Sequence, residues 1–303
     1  MRSSVAAWLV VGLSVLLVGC GGQRTRPAQK SGSSSGSSHV RSSQQAVRDD
    51  TNQPQSSRYR DRKDSVPDGP PPDISKLREP VPKVEPLARY GNKSPYTVLG
   101  QTYTVLPSAR GYDERGIASF YGNKFHGYKT SSLEDYDMYA FTAASKTLPL
   151  PSYARVTNLE TGKSVIVRVN DRGPFHDNRV IDLSYVAAVK IGIWPKGTGL
   201  VEVRGIDPTQ GAQELPPLPV VIAGAHPGIY LQVGAFSDAG NAQRVAAQLR
   251  RANFAPVQVL EAAVNGQRVR RVRVGPLQDV ATADAVSAQI ERLGLPRAQV
   301  AVD

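Results

Sequence analysis

The chain has one cysteine, Cys20, and four histidines, His39, His126, His176 and His226. A single cysteine excludes an internal disulfide framework and any cysteine-based zinc cluster. The histidines are too scattered for a His-x-x-x-His pair on one helix face, so no metal and no other cofactor is expected. A long hydrophobic run is also missing. The apolar stretch at 5–18 makes a helix of roughly 21 Å, short of the ~30 Å hydrocarbon core of a bilayer. Nor is charge concentrated anywhere. The 303 residues carry 37 Lys+Arg against 26 Asp+Glu, a net +11. Residues 21–88 hold 12 basic and 8 acidic groups, 89–227 hold 15 and 12, and 228–303 hold 9 and 6. Counterion release from a nucleic acid needs a local basic stripe, and the even spread excludes that partner. A mildly basic chain suits an acidic surface instead.

What is present begins with an export signal: Arg2, the apolar run, then Leu17-Val18-Gly19-Cys20. That ending resembles the bacterial lipobox, which implies that Cys20 is lipidated after removal of 1–20 and holds the protein to a membrane by acyl chains. Gly21 follows Cys20, and the resemblance implies the periplasmic side of the outer membrane. Residues 21–88 are rich in Ser, Gly, Gln, Arg and Pro and poor in large apolar groups, the composition of a flexible tether.

Ordered sequence is expected over 89–207, in short β-type runs at 96–98, 103–105, 116–121, 152–158, 164–170 and 200–205. One helix is expected at 184–191 behind a Ser cap. Many short strands with one helix suggest a small closed barrel. A Pro-rich linker at 208–227 leads to a repeat over 228–303. Residues 230–236 (YLQVGAF) recur as 271–277 (RVRVGPL), and the same offset relates Ala242 to Ala283 and Leu249 to Ile290. Each half reads strand, Gly turn, amphipathic helix, strand. Two halves make a four-stranded antiparallel sheet backed by two helices, with Asn265-Gly266 as a hairpin turn. Tyr230, Gln232, Arg271 and Arg273 alternate with Leu231, Val233, Val272 and Val274, so they fall on the open sheet face, where they offer stacking and hydrogen-bonding groups to a glycan. The central strands lack the paired aromatics with which an RNA-recognition sheet stacks bases.

Chemistry concentrates in Asn170-Asp171-Arg172-Gly173-Pro174-Phe175, after an apolar strand. Asp171 reads either as an acid or base on a loop, or as a residue that caps its own turn and pairs with Arg172. With 116–122 (GIASFYG), 125–127 (FHG), 148–153 (LPLPSY) and 179–184 (RVIDLS), this run resembles the rare lipoprotein A family, RlpA. The resemblance implies a mainly β chain: a six-stranded double-psi β-barrel related to expansins, then a SPOR module. It implies a septal lytic transglycosylase that cleaves MurNAc–GlcNAc bonds in glycan strands stripped of stem peptides and leaves 1,6-anhydro ends. It also implies partners in the division machinery.

Carried over by motif, the main catalytic aspartate is Asp171 and a glutamate of the loop after FHG is Glu134. Ser145 stands in 143–149 (AASKTLP), where the family run has a histidine. Serine offers only a hydroxyl in place of an imidazole. This departure supports the alternative of a catalytically silent, expansin-like wall-binding protein. His126 is a candidate to supply an imidazole, although FHG also reads as packing and a turn. Asp182 is a second acid, or the cap of the helix that follows. Tyr121 and Tyr136 are the expected sugar-stacking aromatics.

Overall fold

The computed structural model describes residues 49–303 except 54, 177, 211–217, 220–226, 265 and 303. The export signal, Cys20 and residues 21–48 lie outside the described residues, as does most of the Pro-rich linker. One helical turn, α1 (Gln55–Arg58), precedes a hairpin of β1 (Tyr96–Val98) and β2 (Gln101–Tyr103). The next elements are β3 (Asp113–Tyr121), β4 (Thr142–Ser145), β5 (Ser152–Asn158), β6 (Ser164–Asp171), β7 (Arg179–Ser184), α2 (Tyr185–Ile191) and β8 (Gly199–Ile206). The C-terminal module is β9 (Ile229–Phe236), α3 (Ala239–Arg251), β10 (Val257–Val264), β11 (Gln267–Leu277), α4 (Val280–Arg292) and β12 (Gln299–Val302).

Strands β3 to β8 close into a six-stranded barrel in the order β3-β7-β4-β6-β5-β8. The β3/β7 and β4/β6 pairs are parallel and the other pairs antiparallel. Alternation on β6 buries Val165, Val167 and Val169, which meet Val156, Leu183, Val201 and Val203 in the core. Each such side chain contributes about 1.5–3 kcal/mol on leaving water. Helix α2 starts after Ser184, as expected, and ends at Gly192, whose φ of 77° suits glycine.

Two expectations change. The runs at 96–98 and 103–105 are not barrel strands; β1 and β2 form a separate two-stranded hairpin, its second strand ending at Tyr103. The barrel takes β4 and β7 instead. The tether also changes character from Asp49 onward, where it lies along the barrel as a strap. Asp49 bonds Arg58 (2.8 and 2.6 Å) and accepts from the Lys129 amide, and Asp64 accepts from the amides of Gly122 and Lys124. Glu79 accepts from the Ile166 amide, and Val66, Ile74, Leu77 and Ala88 pack on the core. A Cβ on Gly122 would lie 2.2 Å from the Ser65 carbonyl oxygen, so the strap crosses this point only over a glycine.

The module sheet runs β10-β11-β9-β12, entirely antiparallel, so the two repeated strands are neighbours at its centre. The repeat extends to the helix caps: Asp238 accepts from the Asn241 amide and Asp279 from the Thr282 amide, each at 2.7 Å. Leu231, Val233, Val272 and Val274 are buried with Ala242, Leu249, Ala283 and Ile290. Val264 pairs with Gln267 around a two-residue turn in which Gly266 has φ 76°; Asn265 itself lies outside the described residues.

Candidate active site

Strand β4 lies between β6 and β7, and its Ala144 is registered against Asp171 on one side and Asp182 on the other. A register shift on β6 skips Asn170 and brings Asp171 level with Ala144. Residues level across adjacent strands share a face, and strands lie about 4.8 Å apart, so the aspartates stand about 10 Å apart at Cα with a single methyl between them. Both line a cavity of about 240 Å³. An alanine at the middle position leaves room there for a ligand.

The two carboxyls differ in their partners. Asp171 Oδ1 accepts three hydrogen bonds, from the Ser131 amide, the Ser131 hydroxyl and the Arg172 amide, each at 2.7 Å. Among the described residues no donor reaches Oδ2. Burial pushes the Asp171 carboxyl up, and these bonds and the Arg58 charge oppose the shift. Asp182 accepts from the Ser119 hydroxyl. Burial pushes it up to about 6; the Ser119 bond and the charges of Arg179 and Lys146 restrain the shift, and the Asp171 charge adds to it. Asp182 does not cap α2, whose N-cap is Ser184. One cavity thus holds a carboxylate steadied by three donors and a carboxyl that keeps its proton in mildly acidic solution.

Tyr121 lines the cavity. Tyr136 does not; it stacks behind Tyr121 at 4.1 Å and donates to the Tyr121 carbonyl at 2.6 Å, a core position. The strap supplies two walls that the sequence reading missed, Arg58 and Tyr59. Tyr59 packs edge-on against Phe125 and Tyr128. Its only signal is an aromatic between two arginines in a stretch otherwise poor in rings. Ser131 was missed as well, although it stands in a hydroxyl run beside Glu134.

Glu134 lies outside the cavity lining. Its Oε2 accepts from Arg168 (2.6 Å) and Asn170 (2.9 Å), and Arg168 also grips Glu85 through two bonds of 3.0 Å. Burial alone would raise the Glu134 carboxyl, but the bonds to Arg168 and Asn170 hold it below the ordinary value. This Glu85–Arg168–Glu134 chain ties down the loop that carries Ser131 to Asp171. Ser145 is buried outside the lining, its Oγ accepting from the Thr147 and Leu148 amides at 3.3 and 3.2 Å. His126 Nδ1 accepts from the Met138 amide at 3.3 Å and its ring meets Tyr139, away from the cavity. Arg172 lines the cavity, but its guanidinium donates to the carbonyls of Gly91, Ser145 and Leu148 and to Asn92 Oδ1.

On the module, Arg273 is level with Gln232 across β9/β11, but it is not the exposed face residue expected: it is buried, its guanidinium 5.8 Å from the Tyr230 ring centre. Arg271 is level with Ala235, because a register shift separates Val272 from Arg273.

The chain is 41% identical over 274 residues to the endolytic peptidoglycan transglycosylase RlpA of Pseudomonas aeruginosa, covering 71% of this chain and 80% of that protein. This chain belongs to the RlpA family. The protein of the same name from Neisseria meningitidis serogroup B is 55% identical over 132 residues, 44% of this chain and 55% of that one. The family model described as lytic transglycolase matches 113–204, and the SPOR domain model matches 225–300. A crystal structure of the RlpA SPOR domain from Pseudomonas aeruginosa covers 24% of this chain and 97% of its own, at 31% identity and a TM-score of 0.24. Within the RlpA frame, the lytic transglycolase match contains both cavity aspartates. Arg58, Tyr59, Glu85 and the β1–β2 hairpin precede it.

Proposed function

We propose that this RlpA protein is a lytic transglycosylase of peptidoglycan that cuts the MurNAc–GlcNAc bond in stripped strands and leaves 1,6-anhydro ends. The observation that carries this reading is the pair Asp171 and Asp182 on either side of Ala144 in one aromatic-walled cavity. The departing sugar oxygen needs a proton, and the oxocarbenium-like carbon needs a negative neighbour. Asp182, pushed up to about 6, is suited to hold the proton. Asp171, with three donors on Oδ1, is suited to present its other oxygen as the charge. The muramyl 6-hydroxyl attacks the same carbon, and its proton goes to the carboxylate left by the first transfer, so the acid is regenerated without water. Glu134 positions the Ser131 loop through Arg168 and Asn170. The module face with Tyr230, Gln232 and Arg271 holds the glycan, and Arg273, buried beside the Tyr230 ring, supports that face from within. Lipidation of Cys20, outer-membrane attachment, septal enrichment and division-machinery partners complete the reading.

Digestion of amidase-treated sacculi with the full chain, followed by product mass spectrometry, tests it. Anhydromuramyl products that disappear in Asp171→Asn are expected; no such products from the native chain would sink the reading. A second reading, a silent wall-binding protein, is favoured by Ser145, whose hydroxyl is committed to its own turn. Full phenotypic rescue by Asp171→Ala would favour it over the first.

A further inference from the structure

A second cavity, of about 470 Å³, adjoins the first and shares Ser131, Arg172 and Phe175 with it. Its far wall is the β1–β2 hairpin. The hairpin is pinned at its base by Tyr96: the hydroxyl donates to the Lys146 carbonyl at 2.7 Å, the ring meets Tyr103 and Phe175, and the Arg172 guanidinium lies 5.8 Å from its centre. At the tip, Leu99 has φ 50° and is 84% exposed. With Tyr96 and Val98 it gives this side of the cavity an apolar rim.

The walls are mostly apolar, yet Lys93 and Arg172 also line this cavity; the Arg172 guanidinium is committed to main-chain carbonyls and Asn92, which leaves the exposed Lys93 as the cation for a ligand. Apolar walls with one available ammonium, backed by the fixed positive charge of Arg172, fit a sugar that carries one carboxylate. On a strand without stem peptides, the lactyl group of muramic acid ends in a free carboxylate; a stem peptide turns it into a neutral amide. We infer that the hairpin cavity is a subsite for the muramyl residue beside the cleaved bond, with Lys93 pairing with the lactyl carboxylate and Tyr96, Val98 and Leu99 covering the ring. The inference rests on the glycan reading above and assigns the choice of stripped strands to the barrel as well as to the module.

Coupling by carbodiimide tests it on the full chain carrying Asp171→Asn, which keeps the strand uncut. The reagent activates the lactyl carboxylate; the Lys93 amine displaces it, an amide forms, and the carboxylate oxygen leaves on the urea. Peptide mapping should find stripped glycan fragments on Lys93, and none when the fragment carboxylates have first been amidated. In a second arm, Lys93→Gln with Asp171 intact should raise KM for stripped strands about ten-fold with kcat little changed, the usual weight of one charge-assisted contact. Absence of coupling at Lys93 together with an unchanged KM overturns the subsite. Coupling at Lys93 with no anhydro products from the native chain keeps the subsite and retires the catalytic reading.

Discussion

In the barrel, Asp171 and Asp182 come from two strands that meet only on either side of β4, and both carboxyls are withdrawn from water. In the module, Tyr230 and Gln232 come from one strand and Arg271 from its repeat, on a face opposite the helices, with Arg273 buried beside the Tyr230 ring. The barrel makes a concavity by long-range pairing, while the module makes a flat face by duplication. The difference has an energetic side. Burying a carboxyl works against folding, so the barrel site destabilises its own scaffold. Changes to side chains on the module's open face should alter binding and leave its core of Leu231, Val233, Val272 and Val274 intact.

The sharpest way to separate the two regions is Asp171→Asn. Turnover of stripped glycan should fall by on the order of 10²–10⁴, while retention on sacculi stays as in the native chain. Loss of both together would show that barrel and module do not act separately.

Next comes Asp182→Asn. The folded carboxyl titrates near 6 against an ordinary 3.8, so between those values the folded state holds the proton more tightly than the unfolded one. The Asp182 contribution to native stability therefore declines as pH rises from about 4 to 6 and is level above that. Asparagine removes the term, and the barrel transition in urea should gain on the order of 2–3 kcal/mol at pH 7.5 and nothing near pH 4. Coincident curves at both pH values would remove the buried-acid account of the cavity. Because Asp182 supplies the proton, the native rate should also fall as pH rises through about 6.

A smaller effect is expected on the other side of the comparison. Tyr230→Ala should weaken retention on stripped sacculi about three- to ten-fold, the range of one aromatic contact, with turnover of short soluble fragments unchanged. The smallest is Gly122→Ala, which pushes the strap off the barrel at Ser65. It should cost about 1 kcal/mol and open 49–65 to limited proteolysis. Unchanged proteolysis would mean that the strap does not depend on this close approach.

The order of strands, turns and helices in the module was legible, because its repeat copies them at one offset; the burial of Arg273 was not. The barrel was legible where apolar alternation is long, in β5 and β6, and at α2, where Ser184 and Gly192 bracket the helix. It was not legible in β4, whose residues 142–145 (TAAS) carry neither a β-branched aliphatic nor an alternating pattern. That gap matters, because β4 is the strand that brings Asp171 and Asp182 to one cavity. Without it, Asp182 read more readily as a helix cap than as an acid. The strap escaped for a different reason: composition foretold too few apolar groups to order it, and it is held by charged side chains on main-chain amides, contacts that leave no periodic trace. Local pattern reports elements, whereas a site assembled from a short strand and a polar arm is a property of pairing.

The Glu85–Arg168–Glu134 chain has a practical corollary. Cutting the protein at Asp113, where the family match begins, would keep every barrel strand and both cavity aspartates. It would also strip one carboxylate from Arg168, take the Glu85 partner from the Tyr153 hydroxyl, and remove Arg58, Tyr59 and the hairpin. Such a fragment has the outline of the barrel without its walls. For anyone trimming this protein, the working unit starts near Asp49.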